Sequence, residues 1–458
     1  MNFSRSEIDQ RFQSQLAIAE ILSFILYGIF FKQYFPNPTD PNTQSIVQDA
    51  LTRYPFFQSI HLMVVLGFGL LLTFIQKHRI TTMVTCLWVG CLSAQFYFIW
   101  NAFWTYFLTT NTAQMSMNHI IEGEFAAASV LIAVCAIIGK ASNYQYFLLT
   151  MIFIPVYSLN EVVVLEILGA RDIGGSMIIH TFGACFGLAV AYHLNYKNSK
   201  GHNKNLHTSQ GAFTTALLGT VLLWALWPGF NGAQAANAFD LSLTVINTYL
   251  GLSASVIGTL LLTTFFFHGK FNLDQMANAT LAGGVIMGSG ADMIQSGFVA
   301  NFVGFLGGAI STVLFQYAPP ILQQNGLHDV AGIFNLHFIP GVIGGLLSVI
   351  YRAIWIDAGS GSQFMGVVVS VLLAAVAGNF TGKYIRVFHS TETANDFYND
   401  FYFAHLEENV SDKLAYYEKN QKNGESELFD AANERASNLS ERLLVGNSLE
   451  MKPNSQNH

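Results

Sequence analysis

Charge is what this sequence most lacks. Asp, Glu, Lys and Arg make up 11% of its 458 residues, against about 25% in a soluble domain, too little to clothe a water-facing surface. Cysteine is scarce as well. Cys86, Cys91, Cys135 and Cys185 all fall inside apolar runs at spacings that make no zinc knuckle, so they read as small apolar fillers. No Gly-x-x-x-x-Gly-Lys-Ser/Thr loop occurs, which excludes an ATP-driven pump domain. No paired Lys/Arg cluster of the kind that binds nucleic acid is present either. What remains is apolar: 52% hydrophobic residues, 14% aromatic, with a mean hydropathy of +0.39.

That apolar content is organised in runs long enough to cross a bilayer, roughly 18 residues or more. Twelve are read: 15–34, 57–75, 82–107, 119–139, 144–166, 174–195, 211–228, 242–267, 277–291, 297–317, 332–353 and 364–388. The run at 277–291 is short and rich in glycine. Continuous apolar runs favour helices over an outer-membrane barrel, whose strands would be short and alternating. The fold class is therefore an all-α polytopic membrane protein with 12 transmembrane helices. The first run lacks a small-residue cleavage pattern and is read as a retained span rather than a signal peptide.

Orientation follows from Lys and Arg. With a cytoplasmic N-terminus, the inner segments hold Arg5, Arg11, Lys77, Arg79, Lys140, Lys197, Lys200, Lys204, Lys270, Lys383 and Arg386, whereas the outer ones hold Lys32, Arg53, Arg171 and Arg352. Eleven against four, with an even helix count, places both termini in the cytosol. Beyond residue 390 the composition changes: 391–458 carries 13 Asp/Glu and 6 Lys/Arg, which accounts for the whole net charge of −7. The chain thus divides into a membrane domain, 1–390, and an acidic cytoplasmic tail, 391–458. The tail is expected to be largely disordered, with Leu428, Ala432, Leu439 and Leu443 forming one amphipathic stripe open to a cytoplasmic partner.

Against this background two stretches share one design. Asp172-Ile-Gly-Gly-Ser-Met-Ile-Ile-His180 and Asp329-Val-Ala-Gly-Ile-Phe-Asn-Leu-His337 each place glycine two or three residues after an Asp, and a His eight residues after it. The first helix enters from outside and the second from inside, the mark of an inverted repeat with its site near the midplane. Each Asp is placed to cap its helix. Eight residues at 1.5 Å per residue set each His about 12 Å along its helix, which brings the two rings to similar depth in a ~30 Å core. Gly183 and Gly187, and Gly341, Gly344 and Gly345, give these helices small faces for close packing.

The same strings resemble the Rh glycoproteins of the ammonium transporter/Rhesus superfamily. The resemblance is carried by residues 172–187, Arg-Tyr-Pro-Phe-Phe-Gln (53–58) before His61, Gly-Phe-Gly (67–69), Asn-Ala-Thr-Leu-Ala-Gly-Gly-Val (278–285) and Asn-Leu-His-Phe-Ile-Pro-Gly-Val-Ile-Gly-Gly (335–345). It implies a homotrimer of eleven-helix protomers, each an inverted 5+5 repeat with one pore, preceded here by an extra N-terminal helix. By the same resemblance His180 and His337 share a ring-to-ring hydrogen bond in the pore, and Phe125 and Phe230 stack as its outer gate.

The implied activity is an ammonia channel in the lipid bilayer of the plasma membrane. No cofactor and no enzymatic activity are called for. Burying an unpaired ion costs on the order of 20 kcal/mol. Giving up a proton costs about 1.4 kcal/mol per pKa unit, roughly 3 kcal/mol for an amine-like pKa near 9. Ammonium is therefore expected to lose its proton near the gate and cross as ammonia, with imidazoles as donor and acceptor. The tryptophan by which bacterial relatives hold the ion through cation–π attraction is missing before Asp172. Glu161 is the acid read as recruiting ammonium, while Glu124 and Glu166 read as solvated helix ends. Asp172 and Asp329 read mainly as caps, and His61 as a structural histidine. Other readings compete. Zinc is disfavoured because it takes three or four protein ligands; carbon dioxide or methylammonium would be alternative substrates; an ammonium sensor would signal through the tail.

Overall fold

The computed structural model describes residues 4–30, 41–75, 78–111, 116–194, 210–356, 359–389, 398 and 400–404. Among them no β-strand occurs, and eleven helices are long and apolar enough to cross a membrane. In chain order these are α1 (Arg5–Ile29), α2 (Val47–Phe74), α3 (Arg79–Thr109), α4 (Met117–Cys135), α5 (Asn143–Ile167), α6 (Ser176–His193), α7 (Gly211–Gly232) and α8 (Ala238–Phe266). A broken segment follows, α9, built from Leu273–Asn278, a 3₁₀ turn at Ala279–Leu281 and Ala282–Met287. Then come α10 (Gly297–Gln324), α11 (Phe334–Ile356) and α12 (Ser360–Phe388). The short run expected at 277–291 is thus this interrupted helix, too broken to count as a span by itself. With α9 counted, the twelve membrane segments are all present. They form one extra N-terminal helix, two inverted halves of five (α2–α6 and α7–α11), and a closing helix.

The outside of the bundle is apolar. Phe298 is 77% exposed, Phe265 73% and Val376 71%, a surface that only lipid or another apolar partner solvates. The inside is where small residues let backbones touch. A Cβ at Gly183 would lie 2.5 Å from the Ser129 carbonyl oxygen, and one at Gly187 2.6 Å from Ala133 Cα, so α6 lies directly on α4. Gly341 and Gly344 press α11 equally closely onto Ser176 of α6 and Ile286 of α9. Close backbone approach of this kind is what drives helix packing where lipid removes the usual hydrophobic gain.

The compact unit runs to Phe403, past the expected domain end at 390. Tyr398 is buried and its N–H donates to the Gly139 carbonyl at 2.9 Å. The Asp400 carboxylate accepts from the N–H groups of Arg79 (3.1 Å), Ile80 (3.3 Å) and Thr81 (2.8 Å). It therefore caps α3, whose own preceding residue, His78, supplies no side-chain cap. The stripe from Leu428 to Leu443 lies outside the described residues.

Candidate functional site

The two Asp-to-His stretches fold alike. In the first, Gly175 sits at φ +72°, a left-handed conformation that side chains resist, and in the second Gly332 sits at φ +73°. Each follows its Asp by three residues and turns the chain into a π-helical start, Ser176–Thr181 in α6 and Phe334–Phe338 in α11. The wide turn leaves N–H groups for the carboxylates. Asp172 accepts from Met177 (3.0 Å) and Ile178 (2.8 Å), while Asp329 accepts from Gly332 (3.0 Å) and Phe334 (2.8 Å). Asp172 is further tied by a short hydrogen bond from the Ser289 hydroxyl. Gly174 N–H, close by, donates to the Gly288 carbonyl at 2.8 Å, so the end of α9 locks the start of α6.

Both histidines ride in these π turns and meet. Nδ1 of His337 lies 3.2 Å from Nδ1 of His180, with ring planes 17° apart. Both rings are buried, and Nε2 of His180 has no hydrogen-bond partner among the described residues. Phe125 and Phe230 pack beside them with centroids 4.7 Å apart, and the Phe230 centroid is 6.1 Å from that of His180. Trp227, one turn before Phe230, stacks on His180 at 5.7 Å. Trp227 was not singled out from the sequence.

A cavity of about 680 Å³ opens on one side of this row, lined in part by Phe125, Glu122, Glu161, Glu166, Arg171 and Asp172. Glu161 is buried and accepts from the Tyr97 hydroxyl (2.6 Å) and Asn101 (3.2 Å). Glu122, not singled out from sequence, joins it on the wall and accepts from Asn118 at 2.6 Å. Arg171 is held by Asp292 at 2.7 Å and Asp240 at 3.4 Å. Glu166 is exposed, as a helix end should be. Glu124 is not a solvated end: it is 8% exposed and bonded to His61 Nδ1 at 2.8 Å. That partner, 63 residues away in sequence, is what lets the carboxylate stay inside. His61 stacks on Phe57 and is half exposed on its other side.

On the opposite side a smaller cavity, about 370 Å³, is lined in part by Asp274, Phe315, His328, Asp329 and Asn335. Burial pushes the Asp329 carboxyl up from the usual carboxylate range, opposed by the N–H of Phe334 and by Lys140. Burial pulls His328 down to about 3, and the charge of Lys140 adds to that. Among the described residues no group of three or more His, Cys, Asp or Glu is arranged to hold a metal ion.

The chain matches one family model, the Ammonium Transporter Family, over residues 22–389. The chain belongs to the ammonium transporter family. Within it the Rh branch is the match: the chain is 31% identical over 404 residues to Ammonium transporter Rh type C of Rattus norvegicus, covering 81% of each chain. It is 37% identical over 350 residues to Ammonium transporter Rh type A of Canis lupus familiaris, covering 74% of this chain and 83% of the relative. Among solved structures, the Rh50 protein of Nitrosomonas europaea, described as belonging to the Rhesus protein family of channels, superposes with a TM-score of 0.73 at 28% identity. That match covers 82% of this chain and 99% of the other. A sensor Amt protein shares the fold at a TM-score of 0.65 and 19% identity.

Proposed function

We propose that this Rh-branch protein is a homotrimeric channel of the plasma membrane that passes ammonia through each protomer. Both termini lie in the cytosol, so the Glu161 cavity is the outer mouth and the Asp329 cavity the inner one. The positive-inside bias of eleven basic residues to four supports that orientation. Glu122, Glu161 and Glu166 raise the local ammonium concentration by their field. Phe125 and Phe230 close the entrance to hydrated ions. A proton is shed there, because the bare ion would otherwise enter a dry passage at a cost on the order of 20 kcal/mol.

The observation that carries the reading is the His180–His337 pair: two rings in hydrogen-bond contact, with an unpartnered Nε2 beside the gate phenylalanine. Neutral imidazoles offer one donor and one acceptor each, which is what ammonia needs in place of water. A neutral pair adds no net charge to the passage. The test is purified protein in liposomes, with internal pH and current recorded during an ammonium step. Rapid alkalinisation without current, slowed in His337→Ala, is the expected outcome; charge movement would mean that the ion or a coupled proton passes. Flux no faster than in empty liposomes would sink the channel reading, and unchanged permeation and selectivity in His337→Ala would remove the pair from it.

A further inference from the structure

The inner mouth is held by a buried cation to which conduction as described assigns no task. Lys140 lies in the 136–142 loop between α4 and α5, outside the spans, and is 3% exposed. Lysine is almost never that buried without a partner. Its Nζ donates a short hydrogen bond to the His328 carbonyl oxygen, and the neighbouring Asp329 acts on it as an opposite charge. The two loops are joined a second time where Val330 N–H donates to the Ala136 carbonyl at 3.3 Å. Lys140 thus grips the residue just before the carboxylate that caps the His337 helix. Its own loop is braced from behind: Gly139 N–H donates to the Tyr146 hydroxyl at 3.1 Å, and the Gly139 carbonyl accepts from Tyr398 at 2.9 Å.

We propose that Lys140 is a positioning residue for conduction: its ammonium group, through the His328 carbonyl and the charge of Asp329, fixes the inner-mouth loop and thereby holds His337 in register with His180. The proposal rests on the ammonia-channel reading. A charged donor bonds more strongly than a neutral one, so the grip follows protonation. Burial pulls Lys140 down to about 7, with Asp329 pulling the other way. Below pH 7 the ammonium grips in full; above it the neutral amine donates weakly and Asp329 loses its counter-charge. The groups facing Lys140 and its loop are Asp329 and His328 from the α10–α11 connection and Tyr146 from α5, while Asp274 from α9 and Cys135 from α4 feel the charge of Asp329. His78 and Asp400 lie behind Gly139. Burial holds His78 and His328 down at about 4 and about 3, so neither competes with Lys140 near neutrality.

The experiment measures ammonia permeability of the full chain in liposomes, at fixed ammonia concentration, from about pH 6 to about pH 8. Wild-type permeability should fall through a midpoint near 7. Lys140→Arg, which keeps charge and donor, should retain the low-pH permeability across the range and lose the midpoint. Lys140→Met should lie on the order of tenfold below the low-pH wild type, the loss expected for one charged hydrogen bond, with no midpoint, so that the gap to wild type narrows above pH 7. A purely structural lysine would leave the pH profile of Lys140→Arg like that of wild type. Hydrogen exchange at amides 330–336 of the unmutated protein needs no variant to fold, and protection there should drop above pH 7. An unchanged profile in Lys140→Arg, wild-type permeability in Lys140→Met, or pH-independent protection would each overturn the proposal. Absence of ammonia flux in wild type would instead sink the channel reading, with the exchange measurement still deciding whether Lys140 grips the loop.

Discussion

Whether Asp172 caps a helix or recruits the ion can be decided by energy. Its carboxylate accepts two backbone N–H bonds, from Met177 and Ile178, and a third bond from the Ser289 hydroxyl. In Asp172→Ala the hydroxyl can turn elsewhere, but two buried N–H groups are left without a partner. Each costs about 1–3 kcal/mol, so the substitution should destabilise the protein by about 2–6 kcal/mol. Asp172→Asn keeps an oxygen on the N–H groups and turns its amide to Ser289, losing only charge assistance, about 1–2 kcal/mol. Fluorescence-detected thermal unfolding in detergent ranks the variants, and stopped-flow ammonia flux follows function. As a cap, Asp172→Asn should retain most flux, while Asp172→Ala should lose both stability and flux as the His180 turn opens. A recruiting acid would behave oppositely. Wild-type stability in Asp172→Ala, with both variants raising the KM for ammonium alike, would refute the cap.

Further outcomes follow from other close contacts. Gly183→Val places a branched side chain where a Cβ would already meet the Ser129 carbonyl oxygen at 2.5 Å; overpacking costs about 1–3 kcal/mol or more, readable as a lower midpoint in the same unfolding assay. Asp400→Ala removes the carboxylate that caps α3. That should cost about 0.5–2 kcal/mol and appear as faster hydrogen exchange at Arg79, Ile80 and Thr81, with amides in the middle of α3 unaffected.

Membership of the fold was legible because the stretches at 172–180 and 329–337 combine three constraints at fixed spacing. These are a carboxylate cap, a glycine that turns left-handed, and a ring. What escaped was decided by distant parts of the chain. Glu124 looks like a helix-end acid until His61 is brought against it, and the start of α3 looks uncapped until Asp400 arrives from 321 residues further on. Trp227 escaped for another reason. Its helix is apolar on every face, so no amphipathic stripe separates the pore side from the lipid side, and one aromatic residue among many carries no address.

The π turns explain why the Asp-to-His repeat was nonetheless visible. A regular helix would set His180 and His337 on a face that ordinary periodicity assigns, and in an apolar helix that face is anonymous. A π turn, an uncommon feature found mostly at functional sites, throws the ring off the regular stripe and frees the N–H groups that a carboxylate then takes. In these two turns the departure comes with its own Asp and its own left-handed glycine, both of which are written in the sequence. Because the two inverted halves make the same departure, the spacing recurs. The cost of placing a ring off-register is what made the site readable before its partners were known.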